Sequence, residues 1–132
     1  MIDEGQYFGS KAHTDEQEQE AEALLTRVND MLTFLVWDYP TDPDTGTSIS
    51  GTKGGSGDGG FRLSDAKTGK PFSKHKTAHA VDVYDPEDEL DFMIDDETLE
   101  RFGLYREAPS ATRGWSHLQD VAPSSGKRTF LP

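Results

Sequence analysis

Three residues with metal-binding side chains stand out in this sequence, two histidines and one aspartate. His75 and Asp82 lie in the segment S-K-H-K-T-A-H-A-V-D at residues 73–82, and His117 ends the segment W-S-H at residues 115–117. Two imidazoles and one carboxylate are the ligand count of a catalytic Zn²⁺ site, whose fourth position stays open for water or substrate. A closed structural zinc site takes four protein ligands. The pattern therefore predicts a metal site of the open, catalytic type.

The residues around Asp82 and His117 alternate in the way that half-buried strands do. Residues 80–84 read A-V-D-V-Y, which places Asp82 and Tyr84 on one face and the two valines on the other. In residues 114–118 the same period of two places Trp115 and His117 on one side. Two neighbouring strands can therefore present Asp82 and His117 to one metal ion, with an aromatic ring beside it.

At these residues the chain resembles a known family. The pattern S-x-H-x-x-[G/A]-x-A-x-D followed by W-x-H is similar to the zinc-binding signature of the D-alanyl-D-alanine carboxypeptidases and L,D- or D,D-endopeptidases, which are relatives of the vancomycin-resistance dipeptidases and of the Hedgehog signalling domain. The resemblance covers roughly residues 60–120 and implies that His75, Asp82 and His117 hold Zn²⁺. Two histidines and one carboxylate also suit nonhaem Fe²⁺, but the family resemblance favours zinc.

The same resemblance indicates residues that contact a substrate. Residues 60–62, G-F-R, are similar to a G-[YF]-R segment of that family whose arginine lies near the substrate, so Arg62 is expected to clamp a peptide carboxylate or carbonyl. Ser73, His79, Tyr84 and Trp115 are further candidate substrate contacts. An ordinary surface ion pair is the alternative role for Arg62, and an exposed turn position is the alternative for His79.

The general base of this family is missing from its usual position. Many members carry a glutamate three residues before the second histidine, and this chain has Gly114 there. Glu107 is the best substitute, because it ends a predicted strand at residues 103–107 that precedes the strand of His117. If odd-numbered residues pair with odd-numbered ones, Tyr105 and Glu107 share the face of His117, whereas a slip of one residue puts Arg106 there. A purely structural role for Glu107 is the alternative.

Composition limits the size and the partners of the protein. A chain of 132 residues is long enough for one domain and too short for two. Its net charge of −12 disfavours nonspecific binding to nucleic acid or to anionic membranes. With no cysteine there is no disulfide framework. We expect no signal peptide and no transmembrane segment, since no apolar run approaches the roughly 20 residues that a membrane span needs.

The sequence predicts a single α+β domain in which a small antiparallel sheet carries the metal site and packs against one long N-terminal helix and a short second helix. Residues 1–13 form an N-terminal extension, 14–35 a helix, 38–60 a Gly/Pro-rich loop, 60–120 the zinc-peptidase-like core and 121–132 a C-terminal tail. Thr14 with Gln17 forms a capping-box pattern, and an apolar stripe follows at three- and four-residue steps. The second helix is expected to begin near Asp95 or Asp96 and to end at Gly103.

The flanking segments resemble small proteins encoded among the structural genes of tailed bacteriophages. The features that carry this resemblance are Y-F-G at residues 7–9, the helix after Thr14, the Gly-rich loop and the closing R-T-F-L-P at residues 128–132. This context implies peptidoglycan stem peptides as substrate, other virion proteins as further partners, and a location in the virion or in the host cytoplasm before lysis. Two functions follow as hypotheses, a zinc peptidase of peptidoglycan and a noncatalytic virion or wall-binding protein that retains the fold.

Overall fold

A computed structural model describes residues 1–51, 59–64, 66 and 73–132. These residues form an α+β fold with four α-helices and one mixed sheet of four strands. The helices are α1 (Glu4–Phe8), α2 (Asp15–Phe34), α3 (Glu89–Met93) and α4 (Asp96–Phe102). The strands are β1 (Ala80–Tyr84), β2 (Tyr105–Glu107), β3 (Trp115–Gln119) and β4 (Thr129–Phe130), and two short 3₁₀ helices cover Lys74–Thr77 and Pro109–Ala111.

The sheet has the strand order β1-β3-β2-β4, with the two strands that carry Asp82 and His117 side by side. β1 and β3 are antiparallel, and their register places Asp82 opposite His117. β2 is antiparallel to β3, but β4 runs parallel to β2, so the expectation of a purely antiparallel sheet is wrong at this edge. The chain reverses direction after β3 and returns beyond β2, which is why β4 has the same direction as β2. A strand of only two residues is too short to show an alternating pattern.

Helix α2 confirms the prediction for residues 14–35. The Thr14 side chain accepts a hydrogen bond from the backbone of Gln17, and the Gln17 side chain accepts one from the backbone of Thr14. This capping box satisfies backbone groups that the first helical turn leaves without partners. The predicted apolar stripe lies in the core, and its buried members are Ala21, Leu24, Leu25, Val28 and Leu32.

Helix α4 also lies where the sequence predicts the second helix. The Asp95 side chain accepts from the Thr98 backbone at its start, and Gly103 closes it with a φ of 69°. Helices α1 and α3, five residues each, are additional to the prediction, because so short a segment does not reveal a helical period.

The N-terminal segment contributes to the core. Ile2, Tyr7 and Phe8 are buried, and the side chain of Asn29 on α2 bonds both the N–H and the carbonyl of Ile2. The Tyr7 hydroxyl donates to the carbonyl oxygen of Ala80 at 2.9 Å, which ties α1 to the start of β1. Residues 1–8 thus support the strand that carries Asp82.

In its described part, the predicted loop at residues 38–60 lies along the edge of β1 that faces away from β3. Ile49 pairs with Val83, Ser50 donates its N–H to the carbonyl of Asp82, and the N–H of Asp82 reaches the carbonyl of Gly59. A Cβ at Gly59 would overlap the carbonyl oxygen of Ser50, so this close approach requires glycine. Residues 54–58 of the predicted Gly-rich segment lie outside the described residues. The backbone of the metal-site aspartate is therefore held on both sides.

Candidate metal centre

His75, Asp82 and His117 form a buried group that is able to hold a metal ion. Their exposed fractions are 2%, 9% and 6%, and one ligand atom from each lies within 4.8 Å of the other two. Nε2 of His75 lies 3.2 Å from Oδ1 of Asp82, and Nδ1 of His117 lies 3.0 Å from the same oxygen. The 3₁₀ helix Lys74–Thr77, β1 and β3 each supply one of these residues. The structure thus brings together the three residues that the sequence predicts as ligands.

The backbone fixes the orientation of His75. Its Nδ1 lies 2.9 Å from the carbonyl oxygen of Gly60. A carbonyl only accepts hydrogen bonds, so Nδ1 carries the proton and Nε2 turns its lone pair towards Asp82. Ser73 caps the 3₁₀ helix through its hydroxyl, which accepts from the backbone of His75, and Ala78 ends the helix in the left-handed conformation. This turn places the imidazole in the site.

A side chain that the sequence did not indicate fixes the orientation of His117. Nε2 of His117 lies 2.8 Å from Oε1 of Gln119, and the amide nitrogen of Gln119 donates to the carbonyl oxygen of Val121 at 2.6 Å. Because the amide nitrogen is used by Val121, the oxygen of Gln119 must accept, and His117 carries its proton on Nε2. Nδ1 then presents a lone pair to Asp82. The signal for Gln119 was its position two residues after His117 on the same strand face.

The protein groups at the centre of the site are all electron-pair donors. Burial by itself would raise the pKa of Asp82. When the two rings carry an additional proton, the charge of His75 and the hydrogen bonds of both imidazoles outweigh burial and hold the pKa well below its usual value. Burial lowers the pKa of His117, and the hydrogen bond and charge of Asp82 overcome this effect and raise the pKa above its usual value. The site therefore favours an added positive charge. A metal ion with nitrogen and oxygen ligands supplies that charge, and the outward hydrogen bonds are those expected behind metal-bound histidines.

A cleft of about 510 Å³ opens onto these three residues. It contains four of the residues that the sequence predicts near a substrate, namely Arg62, Ser73, Glu107 and Trp115. The C-terminal tail forms part of its wall through Pro123, Ser124, Phe130, Leu131 and Pro132. The ring of Phe130 meets the ring of His117 edge-on, with 6.3 Å between centroids. An extended chain segment can thus reach the metal group along an aromatic and aliphatic wall.

Glu107 lies beside the metal group, as the odd-to-odd register predicts. Tyr105 pairs with Gln119 and Arg106 with Leu118, so the register continues with Glu107 opposite His117. Oε1 of Glu107 lies 4.0 Å from Nδ1 of His117, and its side chain is 22% exposed. Arg106 points elsewhere, since its guanidinium donates to the carbonyl of Asp91 at 2.8 Å. A carboxylate that is partly open to the cleft and next to the metal ligands is suitably placed to accept a proton.

Arg62 lies against the metal group. One of its terminal nitrogens is 3.6 Å from Oδ2 of Asp82, and its side chain is 12% exposed. The ion pair that the sequence leaves open as an alternative is therefore made with a metal-site residue. The guanidinium also lines the cleft.

The structure places His79 and Tyr84 away from the residues that line the cleft. Nδ1 of His79 lies 2.9 Å from Asp120, and Nε2 lies 2.8 Å from Glu20, so this ring connects α2 with the end of β3. Tyr84 is half-buried at the last position of β1, opposite Trp115. These contacts indicate a structural role for His79.

Gly114 adopts a backbone conformation that explains why a glutamate is not found at this position. Its φ is 92°, a value that residues with a side chain rarely adopt. Its N–H donates to Oδ1 of Asp88 at 2.8 Å, and its carbonyl accepts from the N–H of Asp85 at 3.0 Å. The turn before β3 is thus built around glycine, and the carboxylate of Glu107 lies on the adjacent strand.

Within the described ranges, none of the helices has the length and apolar character of a membrane span. The chain has no match among protein-family models, curated proteins or solved structures.

Proposed function

We propose that this protein is a zinc-dependent peptidase with a fold of the Hedgehog and DD-peptidase type, which hydrolyses amide bonds in bacterial peptidoglycan peptides. The observation that carries the proposal is the convergence of Nε2 of His75, Oδ1 of Asp82 and Nδ1 of His117 at an open cleft. Three protein ligands leave a coordination position for water or substrate. The signature at residues 73–82 and 115–117 favours zinc over iron and peptides over other substrates.

Each residue of the cleft has a distinct task in this mechanism. A bound Zn²⁺ supplies Lewis-acid activation of water and of the substrate carbonyl. Glu107 takes up a proton at its carboxylate and later returns it to the leaving amine. Arg62 holds a carboxylate or carbonyl oxygen of the substrate through its guanidinium. Gln119 and the carbonyl of Gly60 keep both imidazoles in the tautomer that ligates.

The proposed substrates are stem peptides or crosslinks of peptidoglycan, cut by a carboxypeptidase or an endopeptidase reaction. The volume of the cleft, about 510 Å³, lies in the range of ordinary ligand sites and supports a substrate the size of part of a peptide. Trp115 and Phe130 supply apolar contact surface beside the metal group. We propose that this reaction occurs at lysis or during infection, in keeping with the resemblance of the flanking segments to phage-encoded proteins.

Zinc loading combined with a peptidoglycan assay tests the proposal. The purified protein is loaded with zinc, washed, and analysed for bound metal, and the loaded protein is incubated with purified sacculi. We expect one zinc per chain and the appearance of new amino groups and released peptides, both lost in His117→Ala. His13→Ala is the matched control, because His13 is exposed and lies outside the metal group. Its ring stacks on that of Phe8, with 3.6 Å between the ring centroids. Absence of release at high concentrations of the loaded protein contradicts a peptidase function.

A noncatalytic virion or wall-binding protein is the second candidate function. Gly114 favours it, since the position where many relatives carry the general base holds a glycine with a φ of 92°. In that case we expect bound zinc without any release of peptides, and stoichiometric amounts of the protein in purified virions. Its absence from purified virions contradicts this alternative.

A further inference from the structure

A second group of acidic side chains lies at the other end of β1, outside the cleft described above. Asp85 directly follows β1, Asp88 precedes α3, and Asp91 lies within α3. One carboxylate oxygen from each of the three lies within 4.8 Å of the other two. Asp85 is fully buried and Asp91 is 5% exposed, whereas Asp88 is half-buried and leaves the group open to solvent on one side.

One oxygen of this group lacks a hydrogen bond. Oδ2 of Asp85 accepts from the N–H of Asp91 at 3.1 Å, but the buried Oδ1 has no partner in the described part of the chain. A buried carboxylate oxygen without a donor or a cation destabilises the folded state, because it has lost its hydrogen bonds to water and has no replacement for them. A fully buried carboxylate that keeps one oxygen without a partner, in a residue that belongs to this group, indicates that a cation completes the group.

The charge of the surroundings leads to the same conclusion. The buried Arg106 lies beside the group and donates to the carbonyl oxygen of Asp91 at 2.8 Å. Arg113 lines the same pocket as Arg106, Asp88 and Asp91, so three carboxylates outnumber two guanidiniums, and a bound cation offsets the excess negative charge.

We propose that Asp85, Asp88 and Asp91 form a second metal site, which binds Ca²⁺. All three ligands are oxygens, the type that hard divalent cations prefer. Ca²⁺ tolerates irregular arrangements of oxygen ligands, whereas Mg²⁺ demands near-ideal octahedral geometry. Three carboxylates supplied by the end of a strand and by a five-residue helix therefore suit Ca²⁺ better.

The proposed calcium site is connected to the strand that carries His117. Oδ1 of Asp91 accepts from the hydroxyl of Ser116 at 2.5 Å, and Oδ1 of Asp88 accepts from the N–H of Gly114 at 2.8 Å. Ser116 directly precedes His117 on β3. Calcium binding therefore stabilises the end of the β1–β3 pair, and it does so whether or not the cleft has peptidase activity.

Calorimetric titration of the zinc-loaded protein with CaCl₂ tests the site without any activity assay. We expect one Ca²⁺ per chain with a dissociation constant below about 1 mM, a value typical of sites with few charged ligands, and weaker binding of Mg²⁺. Asp88→Asn removes one charge but keeps an oxygen for the N–H of Gly114, so the variant should fold and bind Ca²⁺ at least about tenfold more weakly. Glu87→Gln removes an exposed charge next to the site and serves as the control.

Thermal unfolding of Asp85→Asn provides a second, independent measurement. Without calcium this variant should unfold at the same or a higher temperature than the native protein, since it no longer buries an uncompensated charge. Addition of CaCl₂ should raise the unfolding temperature of the native protein and leave that of the variant unchanged. Absence of calcium binding to the native protein up to about 5 mM, or equal affinity in native protein and Asp88→Asn, overturns the proposal.

Discussion

Nε2 of His117 donates a hydrogen bond to Oε1 of Gln119 at 2.8 Å, and this contact fixes which ring nitrogen faces Asp82. The other histidine of the metal centre is fixed by a backbone carbonyl, that of Gly60. A backbone contact persists in any side-chain variant, whereas the contact of His117 depends on one replaceable side chain. Gln119 is therefore the position at which the metal centre can be altered without touching a ligand.

Gln119→Leu should weaken zinc binding about 10- to 100-fold, because the ring of His117 loses the acceptor that fixes its tautomer. Gln119→Glu retains an acceptor at the same distance and should restore most of the affinity. Competition with a chromophoric zinc chelator measures the difference. Gln19→Leu, at an exposed position of α2, is the matched control. An equal loss of affinity in the glutamate variant would argue against the proposed role of the hydrogen bond.

Glu107→Gln should lower the turnover number on peptidoglycan about 10²- to 10⁴-fold, the usual contribution of a general base, while zinc stays bound at one per chain. The amide keeps the size and polarity of the side chain but cannot take up the proton. Initial rates of amino-group release, measured together with bound zinc, check this. Glu100→Gln, an exposed position on α4, controls for the change in net charge. Unchanged turnover in Glu107→Gln would assign the proton transfer to another group.

Gly114→Ala should destabilise the protein by about 1 to 3 kcal/mol, because a φ of 92° is strained for any residue with a Cβ. A Cβ at this position meets no atom within 4 Å among the described residues, so the cost arises from the backbone alone. Urea unfolding of the native protein and of the variant gives the difference in the free energy of unfolding. Equal stability of the two proteins would show that the turn relaxes to a different conformation.

Tyr7 gives the protein a predictable loss of stability at high pH. Burial is the main reason that the pKa of its hydroxyl lies above the usual value of about 10, and the charges of Asp120 and Asp82 add to the effect. Since the folded state favours the protonated hydroxyl, this contribution to stability is complete below pH 10 and falls as the pH rises above it. Tyr7→Phe should be less stable than the native protein by about 1 kcal/mol at neutral pH, because the carbonyl of Ala80 loses its donor.

Unfolding free energies measured between pH 8 and about pH 11.5 check the sign of this effect. The stability of the native protein should fall more steeply above pH 10 than that of Tyr7→Phe, because only the native protein has to keep a proton on this hydroxyl. Parallel curves for the two proteins would show that Tyr7 does not contribute to the alkaline loss of stability.

Local patterns of the sequence predicted the elements that carry the metal centre. The capping box at Thr14 and the apolar stripe defined α2, and alternation defined β1 and β3. The sequence left two registers open for the strand of Glu107, and the pairing of Tyr105 with Gln119 selects the odd-to-odd one. The helix and the two strands could be predicted because each depends on residues that are near one another in the chain.

Contacts between distant segments of the chain could not be predicted from local sequence patterns. The parallel strand β4 has two residues and is held by backbone hydrogen bonds, such as that from the N–H of Ala108 to the carbonyl of Phe130. Backbone bonds of this kind do not produce a recognisable pattern of side chains in the sequence. His79 lies four residues after a metal ligand, yet it contacts Glu20 on α2 and Asp120 after β3. Sequence spacing indicates which side chains are available for chemistry, whereas packing decides which of them reach the cleft.

The position of the tail has a practical consequence for the design of expression vectors. Phe130, Leu131 and Pro132 form part of the wall of the metal cleft. A polyhistidine affinity tag fused after Pro132 would bring additional imidazoles next to His75 and His117, and these would compete for the ion. Zinc stoichiometries measured on such a fusion would count the tag together with the protein, so purification by a cleavable tag before Met1 is the sound choice for every metal measurement above.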